Sequence, residues 1–480
     1  MQNQHMLIGG EAVAANGGTT FAVTAPATGE VLAEVPRAGA TDVDLAVRAA
    51  ARGFEAWFRL RPAEREAALL RAAELVAQEG HARFLDTLID ESGSTISKAR
   101  GEIAYTVDLL RTAAGEARRL YGETFPNDDP RRMSLVIREP LGVVGVVSPY
   151  NAPLSLLTKM CAFPLAAGNS LVIKPSEETP LTALAFGRLL LDAGVPPEAV
   201  SVVTGFGGEC GAELVNHPGV RCIALTGSTN TGIAVGQAGL NRMRRMQLEL
   251  GGKSALLVLR DADPQQAAKI AAQGIFTHSG QICMANSRIV VERTIYQPFI
   301  DALKVEAEAL FLGDLRDERT VYGPLINGRA VEKVLEHVHE AIASGAQLLT
   351  GGEIMQGLVV KPTVLLDPPR DSRAWREESF GPVASVVAAD DLEQAIEIAN
   401  DSDYGLSAAV LTNNLQWGMH AARRIASGAV HIGMHAFQSN ALAPIGGVGL
   451  SGMGRSGGHY STEEFTEVKW ISVDVGSLPR

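Results

Sequence analysis

From residue 141 onward, short apolar runs alternate with segments of helical pattern. "GVVGVVS" (142–148) reads as a strand, and "SLVIKP" (170–175) as a second one, followed by a helix near 180–193. "AVSVVTG" (199–205) precedes the helix of "ECGAELVNH", and "CIALTGS" (222–228) precedes that of "TGIAVGQA". Strands joined through helices run parallel, so this region is confined to an α/β fold with a doubly wound sheet. After 250 the pattern restarts. "SALLVL" (254–259) and "RIVVE" (288–292) are strands, as are "VASVVAA" and "SAAVLT". Asp263 caps a helix with Pro264 in its first position. Further helical stretches cover 296–311, 328–344, 392–400 and 416–426. A second α/β unit therefore spans 251–450, as expected of 480 residues.

Residues 41–120 are helical in pattern. Thr41 and Asp42 are placed to cap a helix with Val43, Ala46, Val47 and Ala50 on its apolar face. Pro62 with Glu64 starts a second helix through Leu69, Leu70 and Leu75, and a third covers Ile103 to Leu120. Segments 121–140 and 460–480 fit neither unit and look like strands of alternating charge outside the main cores. The net charge of −12 and the absence of a basic cluster argue against nucleic acid as a partner. The apolar region 141–173 is broken by Pro149, Asn151, Pro153, Lys159, Pro164 and Asn169, which excludes a membrane span. Four cysteines without a C-x-x-C pair, and no secretory leader, point to a reducing cytoplasm.

One of those cysteines, Cys283, sits in the glycine- and serine-rich stretch "THSGQICMANS". A lone cysteine is ordinarily a small buried hydrophobe. "MQLELGGKS" (246–254) puts Glu249 on the polar face of a strand, directly before Gly251 and Gly252, which make room for something close to the backbone. Glu249 and Cys283 flank a strand and a helix and can meet at one mouth of a sheet, where a cysteine nucleophile beside a carboxylate base suits covalent catalysis. Lys174 and Glu177 lie past a strand's carboxyl end, where ligands collect in open parallel sheets and a carboxylate can bind two ribose hydroxyls. "GFGGECG" (205–211) and "LTGSTNTG" (225–232) each follow a strand and open a helix, and Gly227 and Ser228 would offer N–H groups and a hydroxyl to a diphosphate. "GVGLSG" (447–452) matches G-x-G-x-x-G, but no strand precedes it and no helix follows, because "MGRSGGHY" reads as more loop. No His/Cys cluster suggests a metal.

Taken together, "SPYNAPL", "AAGNSLVIKPSEETP", "LTGSTNTG", "LELGGK", "GQIC", "EESFGPV" and "PIGGVGLSGMGR" resemble the NAD(P)-dependent aldehyde dehydrogenase superfamily, in that family's order and across nearly the whole chain. The resemblance implies a Rossmann-like cofactor domain (1–120 and 141–250), a doubly wound catalytic domain (251–450) and a β arm for oligomerisation (121–140 and 460–480). It matches Cys283 to the nucleophile, Glu249 to the general base and Asn151 to the oxyanion donor. Lys174 and Glu177 match the residues on the adenosine ribose, Gly227 and Ser228 the diphosphate contacts, and Glu378 and Phe380 those at the nicotinamide ribose and ring. It extends the cofactor contacts to Ser148, Pro149, Gly207, Gly211 and Leu250. The expected cofactor is NAD, preferred over NADP because Glu177 would repel a 2′-phosphate.

The chain departs from the family in three places. Tyr150 stands where tryptophan is usual, Ile445 replaces the phenylalanine of P-F-G-G, and Met160 takes the place of a lysine, with Lys159 one residue earlier. The last departure puts a proton relay through that lysine in doubt. "GQICMA" and "GRSGGHYSTEEFTE" look most like the branch acting on aromatic aldehydes, with Tyr150, His435, Phe437 and Ile445 in the substrate pocket. An aliphatic aldehyde or a semialdehyde is the alternative. An acylating, coenzyme A-dependent enzyme would not need Glu249, and a non-catalytic relative should have lost Cys283 or Glu249. The implied partners are a small-molecule aldehyde and further copies of the chain, as a homodimer or homotetramer.

Overall fold

The structure, a computed structural model, describes residues 2–476; residue 1 and the end of the expected arm, 477–480, lie outside the described residues. An eight-stranded sheet has the order Gly452–Met453, Arg245–Glu249, Val220–Thr226, Val143–Val147, Ser170–Lys174, Val200–Val202, Met6–Ile8, Glu11–Val13. Its five inner strands, from Arg245–Glu249 to Val200–Val202, are parallel. The strands at its two ends pair antiparallel. Alternate residues of one strand feed two cores: Leu171 and Ile173 pack with the helices Pro62–Gly80, Ser155–Ala167 and Pro180–Asp192, and Val172 with Ala40–Phe58. Burial on both faces is why these strands read as continuous apolar runs. Each such side chain contributes about 1.5–3 kcal/mol of burial, lost if either helical layer were absent.

The second sheet has seven strands in the order Gln347–Thr350, Thr363–Leu366, Val383–Ala389, Arg288–Glu292, Ala255–Val258, Ser407–Leu411, Ala429–Ile432. All are parallel except the first. A third sheet pairs Thr466–Asp474 with Arg132–Pro140 along nine residues, and Glu123–Phe125 lies beyond. Its edge strand leaves Val468 and Trp470 exposed.

Several local expectations are corrected. The helix Ala40–Phe58 is capped by Gly39, and Asp42 sits three residues inside it, where Oδ2 accepts the Gly39 N–H at 2.9 Å. Leu70 points to solvent although Leu69 is buried. The third helix runs Ile96–Glu116, because Thr95 Oγ1 accepts the Lys98 N–H and fixes its start earlier than the apolar pattern does. The short strands Met6–Ile8, Glu11–Val13 and Thr363–Leu366 carry no sequence expectation above.

Candidate active site

The inner strands of the first sheet run in chain order out from Val143–Val147 on one side and Val220–Thr226 on the other, so the switch point lies between these two. Ligands collect at such a crevice outside the strands' carboxyl ends. Ser148–Asn151, Lys174, Gly205–Gly211, Gly227–Ser228 and Glu249 all stand at or just past those ends. In the second sheet the relevant loops leave the opposite edge. Cys283 precedes Arg288–Glu292, Glu378 and Phe380 precede Val383–Ala389, and Gly252 precedes Ala255–Val258. Glu249 and Cys283 therefore do not share one sheet's mouth, as their spacing suggested. They come from facing edges of two sheets.

The chain crosses between the sheets at Gly251 and Gly252. The Gly252 N–H donates to Glu378 Oε1 at 2.9 Å. A Cβ on Gly252 would strike the Cys283 carbonyl oxygen, and one on Gly251 the Glu378 carboxylate. These are the close approaches that the two glycines permit. The cysteine loop begins where the helix Pro264–Phe276 ends, and His278 and Ser279 take left-handed φ of 51° and 55°. Such conformations cost roughly 1–3 kcal/mol each and persist only where surroundings enforce them. Ser279 Oγ accepts the Gly323 N–H at 3.1 Å, and Gln281 Oε1 accepts that of Ile326 at 3.0 Å.

Cys161, Cys210 and Cys222 are buried, whereas Cys283 is partly exposed. Burial, with the Glu378 and Glu249 carboxylates nearby, pushes the Cys283 thiol up to about 12, and Lys159 acts against them. Asn151 Nδ2 donates to the Gln281 carbonyl at 2.8 Å, which places that amide beside the cysteine loop. Glu249 is buried, with Lys159 Nζ and Gln247 Nε2 each 3.4 Å from its Oε1. The lysine whose register looked wrong thus reaches the glutamate, while Met160 accepts the Thr226 hydroxyl at 3.3 Å. Tyr105, also missed by sequence reasoning, has a buried hydroxyl without a partner, and the Glu249 charge helps push its ionisation up, after burial.

Lys174 is buried, and its Nζ lies 3.0 Å from Glu177 Oε2. The Gly227 N–H is not free, because it donates to the Glu249 carbonyl at 3.0 Å. Ser228 caps the helix Thr229–Leu240 through the Thr231 N–H. Ser148 donates its N–H to the Lys174 carbonyl, and Leu250 donates to that of Ser451. Pro149 is half-buried. Gly207 and Gly208 face open space, and Gly211 packs on the Lys174 side chain. Burial raises the Glu378 carboxyl against the opposing pull of the Gly252 N–H, Lys333 and Lys253.

The four expected pocket residues make the following contacts. Tyr150 meets Phe380 edge-on, with centroids 5.9 Å apart at 88°. His435 stacks on Phe437 at 6.1 Å. Ile445 is bridged to Ser456. His435 and Phe437 return to the edge that carries Cys283, since Ser407, at the start of its strand, hydrogen-bonds the Ala436 carbonyl at 2.7 Å. Among the described residues no three His, Cys, Asp or Glu side chains could together hold a metal ion. Nor is any described helix long and apolar enough to cross a membrane.

Comparison with known proteins agrees with this geometry. The profile of the aldehyde dehydrogenase family matches residues 13–471. A glutarate-semialdehyde dehydrogenase of Pseudomonas putida is 36% identical over 98% of both chains. A vanillin dehydrogenase of Pseudomonas fluorescens is 37% identical, again over 98% of each. Among solved structures, an NAD-dependent aldehyde dehydrogenase from Sinorhizobium meliloti superposes with a TM-score of 0.96 at 36% identity, covering 100% of this chain and 96% of that one. An NADP-dependent enzyme of Escherichia coli gives 0.95 at 34% identity, covering 98% of each. The chain belongs to the aldehyde dehydrogenase family and is an oxidoreductase acting on aldehydes.

Proposed function

We propose that the chain oxidises an aromatic aldehyde to its carboxylic acid through a thioester on Cys283, with NAD⁺ preferred over NADP⁺. The observation that carries this reading is that Asn151 bonds the Cys283 loop at Gln281 while the Glu249 charge reaches the Cys283 thiol, where the two sheets face each other. Cys283, once ionised, attacks the aldehyde carbon. The Asn151 amide and a backbone N–H hold the resulting oxyanion, each donor worth about 3 kcal/mol. When bound, the dinucleotide supplies the hydride acceptor. Loss of hydride leaves an acyl thioester on Cys283. Glu249 then takes a proton from water, which attacks the thioester, releases the acid and returns the thiol.

The residues present fit a dinucleotide. Gly207 and Gly208 front open space at a helix start, Lys174 and Glu177 offer an ammonium and a carboxylate to a ribose diol, and Glu378 is anchored on Gly252. The Glu177 carboxylate disfavours a 2′-phosphate. The ring pairs Tyr150–Phe380 and His435–Phe437 support an aromatic substrate. A semialdehyde is the second reading, favoured by Lys159, a buried cation beside Glu249 and near Cys283. A panel of benzaldehyde, vanillin and succinic and glutaric semialdehydes, followed at the NADH band, decides between them. Higher kcat/KM for the semialdehydes overturns the aromatic reading. We also place the chain in a homo-oligomer joined through the Thr466–Asp474 edge, whose Trp470 is exposed. Sedimentation of Trp470→Asp should show smaller particles than wild type, and an unchanged mass refutes that edge.

A further inference from the structure

We propose that Lys98 and Glu102, on the helix Ile96–Glu116, form a clamp that sets the position of the Asn151 amide. Neither residue belongs to any motif discussed above. Lys98 Nζ has three acceptors: Ser94 Oγ at 2.9 Å, Glu102 Oε2 at 2.6 Å and the Asn151 carbonyl at 2.7 Å. An ammonium has three N–H donors, so this one is saturated. The other Glu102 oxygen accepts the N–H groups of Leu154 and Ser155 at 2.7 and 3.0 Å, where the helix Ser155–Ala167 begins. Glu102 is thus a carboxylate at a helix N-terminus, with its second oxygen held by an ammonium. The turn that carries Asn151 is gripped at its carbonyl by Lys98 and three residues later by Glu102.

The cysteine loop closes the clamp from the other side. His278 is buried and kept neutral by that burial and by the Lys98 charge, and its ring lies beside the Asn151 backbone. Asn151 Nδ2 reaches back to the Gln281 carbonyl, two residues before Cys283. With its carbonyl held by Lys98 and its Nδ2 held by the Gln281 carbonyl, Asn151 is fixed at both backbone and side chain. An oxyanion donor is worth about 10²–10³ in rate, and a displacement near 1 Å forfeits about 10² of such gains. Lys98 is in this sense a positioning residue that acts through Asn151.

The proposal rests on Asn151 being the oxyanion donor, and a double-mutant cycle separates the two claims. Asn151→Ala, Lys98→Met and the double variant are compared for the rate of the first NADH burst, for NAD⁺ dissociation constant and for melting temperature. Lys98→Met is expected to slow the burst by about 10–100-fold while NAD⁺ binds as in wild type. Placed on Asn151→Ala, it is expected to slow the burst no further. A wild-type burst in Lys98→Met, or an equal fold loss on top of Asn151→Ala, overturns the clamp. A wild-type burst in Asn151→Ala overturns the oxyanion role and the clamp with it. Should Lys98→Met fail to fold, Glu102→Gln is taken through the same cycle and judged by the same outcomes.

Discussion

Glu249→Gln tests which proton Glu249 moves first. The Cys283 thiol is pushed up to about 12, chiefly by burial and then by Glu378 and Glu249. At pH 7 the thiol therefore rests almost wholly protonated. A thiol this weakly ionised attacks an aldehyde slowly unless a base removes its proton. Glu249 is the nearby carboxylate paired with Lys159, and it is expected to serve thiol and water in turn. Replacing it by glutamine removes one like charge, which lowers the thiol somewhat, but burial, the larger cause, stays. Stopped-flow mixing with NAD⁺ and aldehyde should therefore show a first NADH burst slowed by about 10²–10⁴ at pH 7. That burst should recover about tenfold per unit of rising pH up to pH 10. The acyl group should remain on Cys283 in quenched protein analysed by mass spectrometry. A burst at the wild-type rate, independent of pH, would refute the argument and confine Glu249 to hydrolysis. Full steady-state turnover would remove it from the mechanism altogether.

Cys283→Ala should fold and bind NAD⁺ in a fluorescence titration yet oxidise no aldehyde, whereas Ala at Cys161, Cys210 or Cys222 should cost stability without abolishing turnover. Glu177→Gln should bring kcat/KM for NADP⁺ closer to that for NAD⁺, and an unchanged ratio would count against Glu177 as the discriminator. Lys253 is fully buried with Nζ 3.2 Å from Ser379 Oγ, and burial first, then Arg288, lowers its ammonium to about 7 against the pull of Glu378 and Glu377. The unfolded chain then binds one more proton between about pH 7 and 10.5, so this group makes stability rise with pH across that window, by up to about 5 kcal/mol. Melting curves of Lys253→Met should lack that part of the rise seen in wild type, and parallel pH dependences would show that the lysine is not desolvated as described.

The sequence pattern located the strands Arg288–Glu292 and Val383–Ala389 and the helix Leu392–Asn400 at their observed limits. The strands stand out as continuous apolar runs buried on both faces, and the helix by its capping residue Asp391. Met6–Ile8 was not legible, because a three-residue strand has no period of its own and is fixed by pairing with Val202. The same distinction holds at the site. The glycines before Lys253 and the loop around Cys283 announce themselves by composition. Lys98 and Glu102 do not, since on a helix they read as an ordinary pair four residues apart, and only the packing of that helix turns them toward Asn151. Lys159 looked displaced because one residue along a helix turns a side chain by about 100°. A four-carbon stem reaches across that turn to Glu249, while Met160 faces Thr226 instead.

The two sheets explain why the reacting groups are so far apart in the chain. A single parallel sheet offers ligands its carboxyl edge, and there the first sheet gathers Lys174, Ser228 and Glu249. A nucleophile on that same edge would compete with the dinucleotide proposed for the crevice. Here Cys283 and Glu378 come instead from the amino edge of the second sheet and approach from the opposite side. What couples the two edges is a set of short contacts made to backbone: the Gly252 N–H on Glu378, the Cys283 carbonyl against Gly252, and the Asn151 amide on the Gln281 carbonyl. These contacts join Asn151, the Cys283 loop and Glu378 without passing through any flexible side chain longer than asparagine or glutamate. The distance between nucleophile and base is therefore set by how the two sheets dock, which no local pattern in either half specifies.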